Sequence, residues 1–337
     1  MHILVVDVAA EHGGAKTILD QFRAEFENDS KNEYLVLLSK LQYTDKPNIK
    51  YKRYPWVKKS HLHRLFFDFF TVKGLAKEYN ADLIISLQNN AVNAGDVDQI
   101  VYFHNALPLA EKRFKFNESK YLWFYQTIIS RVIKKSLRRA KTIYVQANWI
   151  KAAMITQWGI EEDKIVVKKP QITDLQKYKT ERTAEIGKCK LFYPAGFCTY
   201  KNHHRMIKAC KMIWDKYGID CGLQLVLAGD REKLPDQTMD LIKDKRLPVY
   251  FKGILNRQEM SKEYLSSILI FPSYIETVGL PLLEAKDFGS KILCSDLAYS
   301  RESLGDYSNV VYFDPYSVDS IYEAILLSIK DCCFLEI

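Results

Sequence analysis

Short apolar runs alternate with amphipathic stretches along the chain. His2–Val8 is a β-branched run, followed by a loop, Glu11-His12-Gly13-Gly14-Ala15. Ile18, Phe22 and Phe26 then recur at four-residue spacing, which predicts an amphipathic helix. Strand, glycine loop and helix in that order open a doubly wound α/β unit. Further strands are predicted at Tyr34–Leu38, Leu83–Leu87, Ile100–His104 and Thr142–Val145. Each is short and apolar throughout, as strands buried on both faces of a parallel sheet must be.

The pattern breaks around Lys168–Lys188, where Pro170, Thr173, Lys177, Lys179, Thr180, Arg182 and Thr183 form a polar stretch without periodicity. It restarts with runs at Lys190–Ala195, Leu223–Ala228, Val249–Lys252, Ile268–Pro272, Lys291–Ser295 and Val310–Phe313, and a last helix at Ser317–Lys330. The expected organisation is an N-terminal domain over residues 1–170, a linker over 171–188 and a C-terminal domain over 189–337. Two successive parallel α/β domains imply a central cleft faced by the carboxyl ends of both sheets.

Composition narrows the class. The chain has 337 residues, 47% of them hydrophobic, enough for two cores without disulfides or a structural metal. Its seven cysteines include no CxxC pair and none stands at zinc-ligand spacing from a histidine, so reduced, mostly buried thiols in a cytoplasmic protein are expected. The N-terminus runs straight into a strand without a basic leader, and no stretch reaches 18 apolar residues. A formal charge of +8 suits acidic ligands, nucleic acid or an anionic membrane face and selects none of them.

The most informative segment is Phe271-Pro-Ser-Tyr-Ile-Glu-Thr-Val-Gly-Leu-Pro-Leu-Leu-Glu-Ala285. A strand ends at Pro272-Ser273, a loop carries Glu276, Thr277 and Gly279, and a helix is predicted from Leu280 to Gly289. Pro281 sits where a missing N–H costs nothing. The N–H groups of Val278, Gly279 and Leu280 are open at the helix start, where the dipole favours a phosphate. Glu276 and Glu284 beside such a site would repel phosphate. Accepting hydrogen bonds from sugar hydroxyls gives them a purpose.

The wording Glu-Thr-Val-Gly-Leu-Pro-Leu-Leu-Glu, with Glu276 and Glu284 at E-x7-E spacing, resembles glycosyltransferase family 4 of the GT-B fold. The order of other segments fits the resemblance: Gly13-Gly14, Tyr102-Phe-His-Asn105, Tyr193-Pro-Ala-Gly196, Lys201-Asn-His203, Val226-Leu-Ala-Gly229, Phe251-Lys-Gly253, Ser295-Asp296 and Arg301-Glu302. It spans nearly the whole chain. It implies two Rossmann-like domains and retaining transfer of a hexose from a UDP- or GDP-linked donor, held by the second domain, to a glycan or lipid-linked glycan, as in surface-polysaccharide synthesis. The departing diphosphate would assist on the acceptor's face, without a protein nucleophile. Carried over residue by residue, Glu276 would bind donor sugar hydroxyls and Thr277, Val278, Gly279 and Leu280 the sugar or diphosphate. Glu284 would bind the ribose, Lys201 would neutralise the diphosphate, and Gly196 would line the donor site. Gly13 and Gly14 would let the first domain approach the donor, and His104 would sit near the anomeric carbon. Phe197 stands where many members carry arginine, which leaves Arg205 and Arg301 as candidate substitutes.

No metal or other cofactor is expected: no Asp-x-Asp follows a strand, and His203-His204, adjacent on a helix, read as surface. Lys52–Phe70 and Phe114–Arg139 mix basic and aromatic residues. They suit either interfacial membrane contact, on the inner face of a membrane, or a buried apolar stripe under a solvated charged face. Nucleic acid is not expected. Two rival readings stay open: a GT-B nucleotide-sugar epimerase or phosphorylase, and a catalytically inactive partner that binds nucleotide sugar or glycan within a synthesis complex.

Overall fold

The computed structural model describes residues 1–11, 13–170, 175–178, 190–226, 236–243 and 247–333. The chain divides into two compact units, Met1–Gln171 and Ile172–Ile337.

The first unit is built on a seven-stranded sheet. Its strands are β1 (His2–Asp7), β2 (Glu33–Leu38), β3 (Ile49–Arg53), β4 (Leu83–Ser86), β5 (Gln99–Phe103), β6 (Thr142–Val145) and β7 (Ile165–Val167). Their order is β3-β2-β1-β4-β5-β6-β7, and every pairing is parallel. β1 is apolar on both faces because both are covered. Ile3 and Val5 pack with Ile18, Leu19, Phe22 and Phe26 of the helix Gly13–Glu27. Leu4 and Val6 pack on the other side with Phe67, Val72 and Leu75.

The second unit holds a six-stranded sheet of β8 (Leu191–Tyr193), β9 (Leu223–Leu225), β10 (Val249–Phe251), β11 (Ile268–Phe271), β12 (Ile292–Ser295) and β13 (Val310–Phe313). The order is β10-β9-β8-β11-β12-β13, again all parallel. Helices alternate with strands in both units, so each is a Rossmann-like layer structure. In each sheet the chain winds outward from one strand, then returns to wind the other way. That reversal leaves a crevice at the carboxyl ends of β1 and β4 in the first unit and of β8 and β11 in the second.

β3 and β7 were not among the expected strands. Both are edge strands: β3 reads Ile-Lys-Tyr-Lys-Arg with its charges exposed, and β7 is three residues long. Edge strands carry charges to block further pairing, which removes the apolar run that marks a central strand. The glycines expected in a loop are corrected too: Gly13 and Gly14 are the first residues of the helix Gly13–Glu27. A helix start tolerates glycine because its N–H groups have no partners one turn earlier. Most of the expected linker lies outside the described residues. The turn Gln176–Tyr178 packs on the second unit, where the Ser261 hydroxyl donates to the Tyr178 carbonyl at 3.1 Å.

Candidate active site

The loops after β8 and β11 are tied together at the crevice of the second unit. The Tyr193 hydroxyl, at the end of β8, donates to the Lys201 carbonyl at 2.8 Å and lies 3.1 Å from the Ser273 hydroxyl after β11. Asn202 is the knot between the loops. Its amide donates to the carbonyls of Pro272 (3.1 Å) and Pro315 (2.9 Å), and its oxygen accepts from the Tyr274 hydroxyl (2.7 Å). Its φ of +58° is a left-handed conformation that asparagine tolerates better than most residues. Main-chain Tyr274 N–H also donates to the Tyr200 carbonyl at 2.8 Å. These bonds bring the Lys201 ammonium into direct contact with Glu276 Oε1, 75 residues away in sequence. Both side chains are mostly buried, so the pair is weakly screened and competes with less water than a surface pair would.

The helix Leu280–Asp287 starts beside this pair, with Gly279 as its N-cap at φ +72° and Pro281 as its second residue. A Cβ on Gly279 would lie 3.1 Å from Leu282 Cδ1 and 3.4 Å from Phe271 Cε1. Glycine is needed there for both the backbone conformation and the packing. Val278 is buried, with its carbonyl accepting from the Ser303 hydroxyl, while Leu280 is partly exposed and Thr277 half-buried. Glu284 lies one turn into the helix, where Oε2 accepts from the Tyr264 hydroxyl at 2.7 Å. Burial raises its pKa above the ordinary carboxylate value, and the Tyr264 bond pulls it partly back down. Gly196 has open space where a Cβ would stand.

His203 is a correction, because it is buried rather than on the surface. Its ring packs at 4.8 Å from the Tyr193 ring and 4.7 Å from the Phe197 ring, and Nε2 lies 3.4 Å from the Ala195 carbonyl. Burial drives its pKa down to about 3, so it stays neutral. Phe197 therefore has a packing role as the cover of this ring. Neither candidate substitute for the expected arginine is uncommitted. Arg301 makes a bidentate pair with Asp296 (2.6 and 2.8 Å) and lies over the Tyr312 ring. Arg205 engages the Tyr316 carbonyl at 3.2 Å and the Tyr274 hydroxyl.

In the first unit, His104 stands just beyond β5. Its backbone N–H donates to Asn89 Oδ1 at 2.6 Å, and Nε2 lies 3.0 Å from the Leu87 carbonyl. Burial lowers its pKa, so the imidazole is neutral at neutral pH and acts by hydrogen bonding rather than as a cation. Gly14 has open space around its Cβ position.

The sequence motif located the charged groups and missed what holds them. Asn202, Tyr193, Tyr274 and Tyr264 are the residues that fix Lys201, Glu276 and Glu284. The neighbourhood of Lys201 pointed to Asn202, whereas nothing local marks Tyr264, twenty residues before its partner. Cys198, Cys210, Cys221 and Cys294 form no disulfide, and Cys210, Cys221 and Cys294 are buried. Among the described residues no group of three or more His, Cys, Asp or Glu could hold a metal ion.

A basic side chain, two carboxylates and a helix start at the switch point of a parallel sheet suit a ligand that combines phosphate with hydroxyls. Residues 176–332 match the family model described as "Glycosyl transferases group 1". Solved structures of similar fold include sucrose-phosphate synthase from Thermosynechococcus elongatus (TM-score 0.69, 14% identity, 99% of this chain and 90% of that one). HepE of Anabaena, solved with UDP and glucose, is comparable (TM-score 0.67, 17% identity, 98% and 90%). So is WaaG, a glycosyltransferase involved in lipopolysaccharide biosynthesis (TM-score 0.65, 14% identity, 98% and 90%). The chain thus has the GT-B fold, and the match to the group 1 model falls in its second unit. In sequence it is similar to the O-antigen chain mannosyltransferase B of Escherichia coli, 24% identical over 217 residues. That match covers 61% of this chain and 56% of the relative's length.

Proposed function

We propose that this protein transfers a hexose, with retention of configuration, from a UDP- or GDP-linked donor to a glycan or lipid-linked glycan acceptor. The observation that carries the reading is the Lys201–Glu276 pair held at the start of the helix Leu280–Asp287, with Glu284 one turn further in. Lys201 is assigned the diphosphate, whose leaving charge it stabilises as the glycosidic bond breaks. Glu276 then exchanges its lysine partner for donor sugar hydroxyls. The N–H groups of Val278, Gly279 and Leu280 face the sugar or diphosphate, and Glu284 accepts from the ribose. The acceptor proton passes to the departing diphosphate, so no protein nucleophile is needed and no metal ion is called for. The acceptor is assigned to the first unit, with neutral His104 among its hydrogen-bonding groups. The complex of HepE with UDP and glucose and the mannosyltransferase relative support the substrate class.

The test is thermal stabilisation of the purified protein by UDP-glucose, GDP-mannose and the free nucleotides, in EDTA and then in Mg2+. A ligand that binds only the folded state raises the melting temperature. One nucleotide class should stabilise in EDTA, and the shift should be lost in Glu284→Ala. Glu276→Ala and Lys201→Ala should keep the fold and lose transfer; full turnover in either would overturn the assignment. Phe197 in place of arginine, with Arg205 and Arg301 committed elsewhere, favours one alternative, an inactive partner. It would bind donor and turn nothing over.

A further inference from the structure

The first unit carries a large apolar surface that its own fold leaves uncovered. Leu62 (76% exposed), Leu65, Phe66 (56%), Phe69 and Phe70 (67%) are spaced at i, i+3, i+4, i+7 and i+8, along the helix His61–Phe66 and the π turn Phe67–Thr71 that continues it. Tyr121 (63%), Phe124, Ile128 and Val132 form a second exposed stripe along the helical stretch from Lys120 to Leu137, with Phe116 beside it. Each helix has a separate buried face, formed by Phe67 in the first and by Leu122, Ile133 and Leu137 in the second. The stripes are therefore additional to the core. They lie next to each other: the His61 and Phe124 rings are 6.1 Å apart, and Arg139 lies 5.6 Å over the Phe69 ring. Ten half-exposed side chains present roughly 750 Å2, taking ~150 Å2 for each whole side chain, more than the few hundred a monomer usually exposes in one patch.

Charge decides what fits there. Lys52–Phe70 and Phe114–Arg139 contain 12 Lys and Arg and two acids, Asp68 and Glu118, a net charge of +10. The rest of the chain is −2, so these two segments hold the whole positive excess. Both acids are already paired, Asp68 with Arg64 and Glu118 with Lys112. Arg131, Lys135 and Arg139 are exposed and fall at helical spacing among the apolar residues of the second stripe. A second copy of this chain would set +10 against +10. An anionic bilayer meets both demands, because its interface takes aromatic rings to the depth of the headgroups while its phosphates face the Lys and Arg. Among the described residues no helix is long and apolar enough to cross a membrane, so this contact would be made from one side.

We propose that the two adjoining stripes, Leu62–Phe70 and Phe116–Val132 with their interleaved Arg and Lys, are a docking face for an anionic lipid bilayer. This deepens the reading above by placing the protein where a lipid-linked acceptor resides, and it is measured separately from it. The experiment is flotation of the full-length protein with phosphatidylglycerol/phosphatidylcholine vesicles and with pure phosphatidylcholine vesicles, at 0.1 and 0.5 M NaCl. Binding is expected only with the anionic vesicles and should weaken about tenfold or more at high salt. Leu62→Ser with Phe66→Ser and Phe70→Ser, and separately Arg131→Glu with Lys135→Glu, should each lower binding about tenfold or more. All five residues are exposed, and an unchanged melting temperature certifies the fold. No binding to anionic vesicles, equal binding to neutral ones, or concentration-dependent dimerisation that the serine variants abolish would overturn the proposal. Nucleotide-sugar stabilisation should persist in both variants. Its absence from the wild type, with vesicle binding intact, would overturn the donor reading alone.

Discussion

Replacing Gly279 with alanine imposes two distinct costs on one residue, and the structure supplies a control for each. Gly279 has φ +72°, a left-handed conformation that costs an L-residue about 1–2 kcal/mol. The new Cβ would also lie 3.1 Å from Leu282 Cδ1 and 3.4 Å from Phe271 Cε1, both in a buried core. Overpacking of that kind costs about 1–3 kcal/mol. Together they predict a loss of about 2–5 kcal/mol. For a unit of this size that is a fall of roughly 4–20 °C in melting temperature. Gly289→Ala isolates the first cost, since its φ is +68° and its Cβ would meet nothing within 4 Å. Gly196→Ala isolates neither, having open space and no positive φ, and should change stability by less than about 0.5 kcal/mol. Calorimetry on the three variants gives the ordering. If Gly279→Ala is no worse than Gly289→Ala, the packing argument is wrong. If both match the wild type, the backbone argument is wrong as well. Any donor-affinity change in Gly196→Ala can then be assigned to the ligand rather than to the fold.

Asn202→Ala should cost about 2–4 kcal/mol in urea unfolding, because it strips partners from the Pro272 and Pro315 carbonyls and the Tyr274 hydroxyl in a buried site; a loss under about 1 kcal/mol would contradict the knot it is assigned. Tyr264→Phe removes the bond that favours ionised Glu284, so the carboxyl should protonate at higher pH. The acid limb of donor binding should then move upward, and an unmoved midpoint counts against the Glu284–donor contact. Asp7, buried at the end of β1 with its pKa pushed up to about 7 by desolvation, favours the fold most when neutral. Its contribution is full below about pH 4 and is lost as the pH rises through 7, on the order of 4 kcal/mol. Asp7→Asn should flatten the stability–pH curve over that window, and a curve parallel to the wild type's would refute it. Glu276→Ala and Lys201→Ala complete the set through the transfer assay described above.

Much of the architecture is legible in local pattern. A strand covered on both faces must be apolar throughout, so the central strands announce themselves, β1 through Leu4, Val5 and Val6 and β11 through Ile268–Phe271. β3 and β7 do not, because an edge strand is selected to be short or charged. The helix start at Leu280 was visible because glycine and proline carry their backbone geometry in their covalent structure. His203 was misread because adjacent histidines on a helix look solvated until Phe197 and Tyr193 close over one of them. The two basic aromatic segments show the same limit. Their periodicity revealed an apolar stripe but could not say that each helix has two, one buried and one exposed.

By itself, then, the sequence determined which residues alternate, where the backbone turns and which charged groups cluster in one segment, since these follow from neighbours a few positions apart. Only the tertiary structure decided that Lys201 meets Glu276, that Tyr264 meets Glu284, that Asn202 ties β8's loop to β11's, and which apolar faces stay uncovered. Those contacts depend on strand order and loop closure across 20 to 113 residues of chain. No local preference encodes a partner that far away; the packing of the whole sheet brings it there.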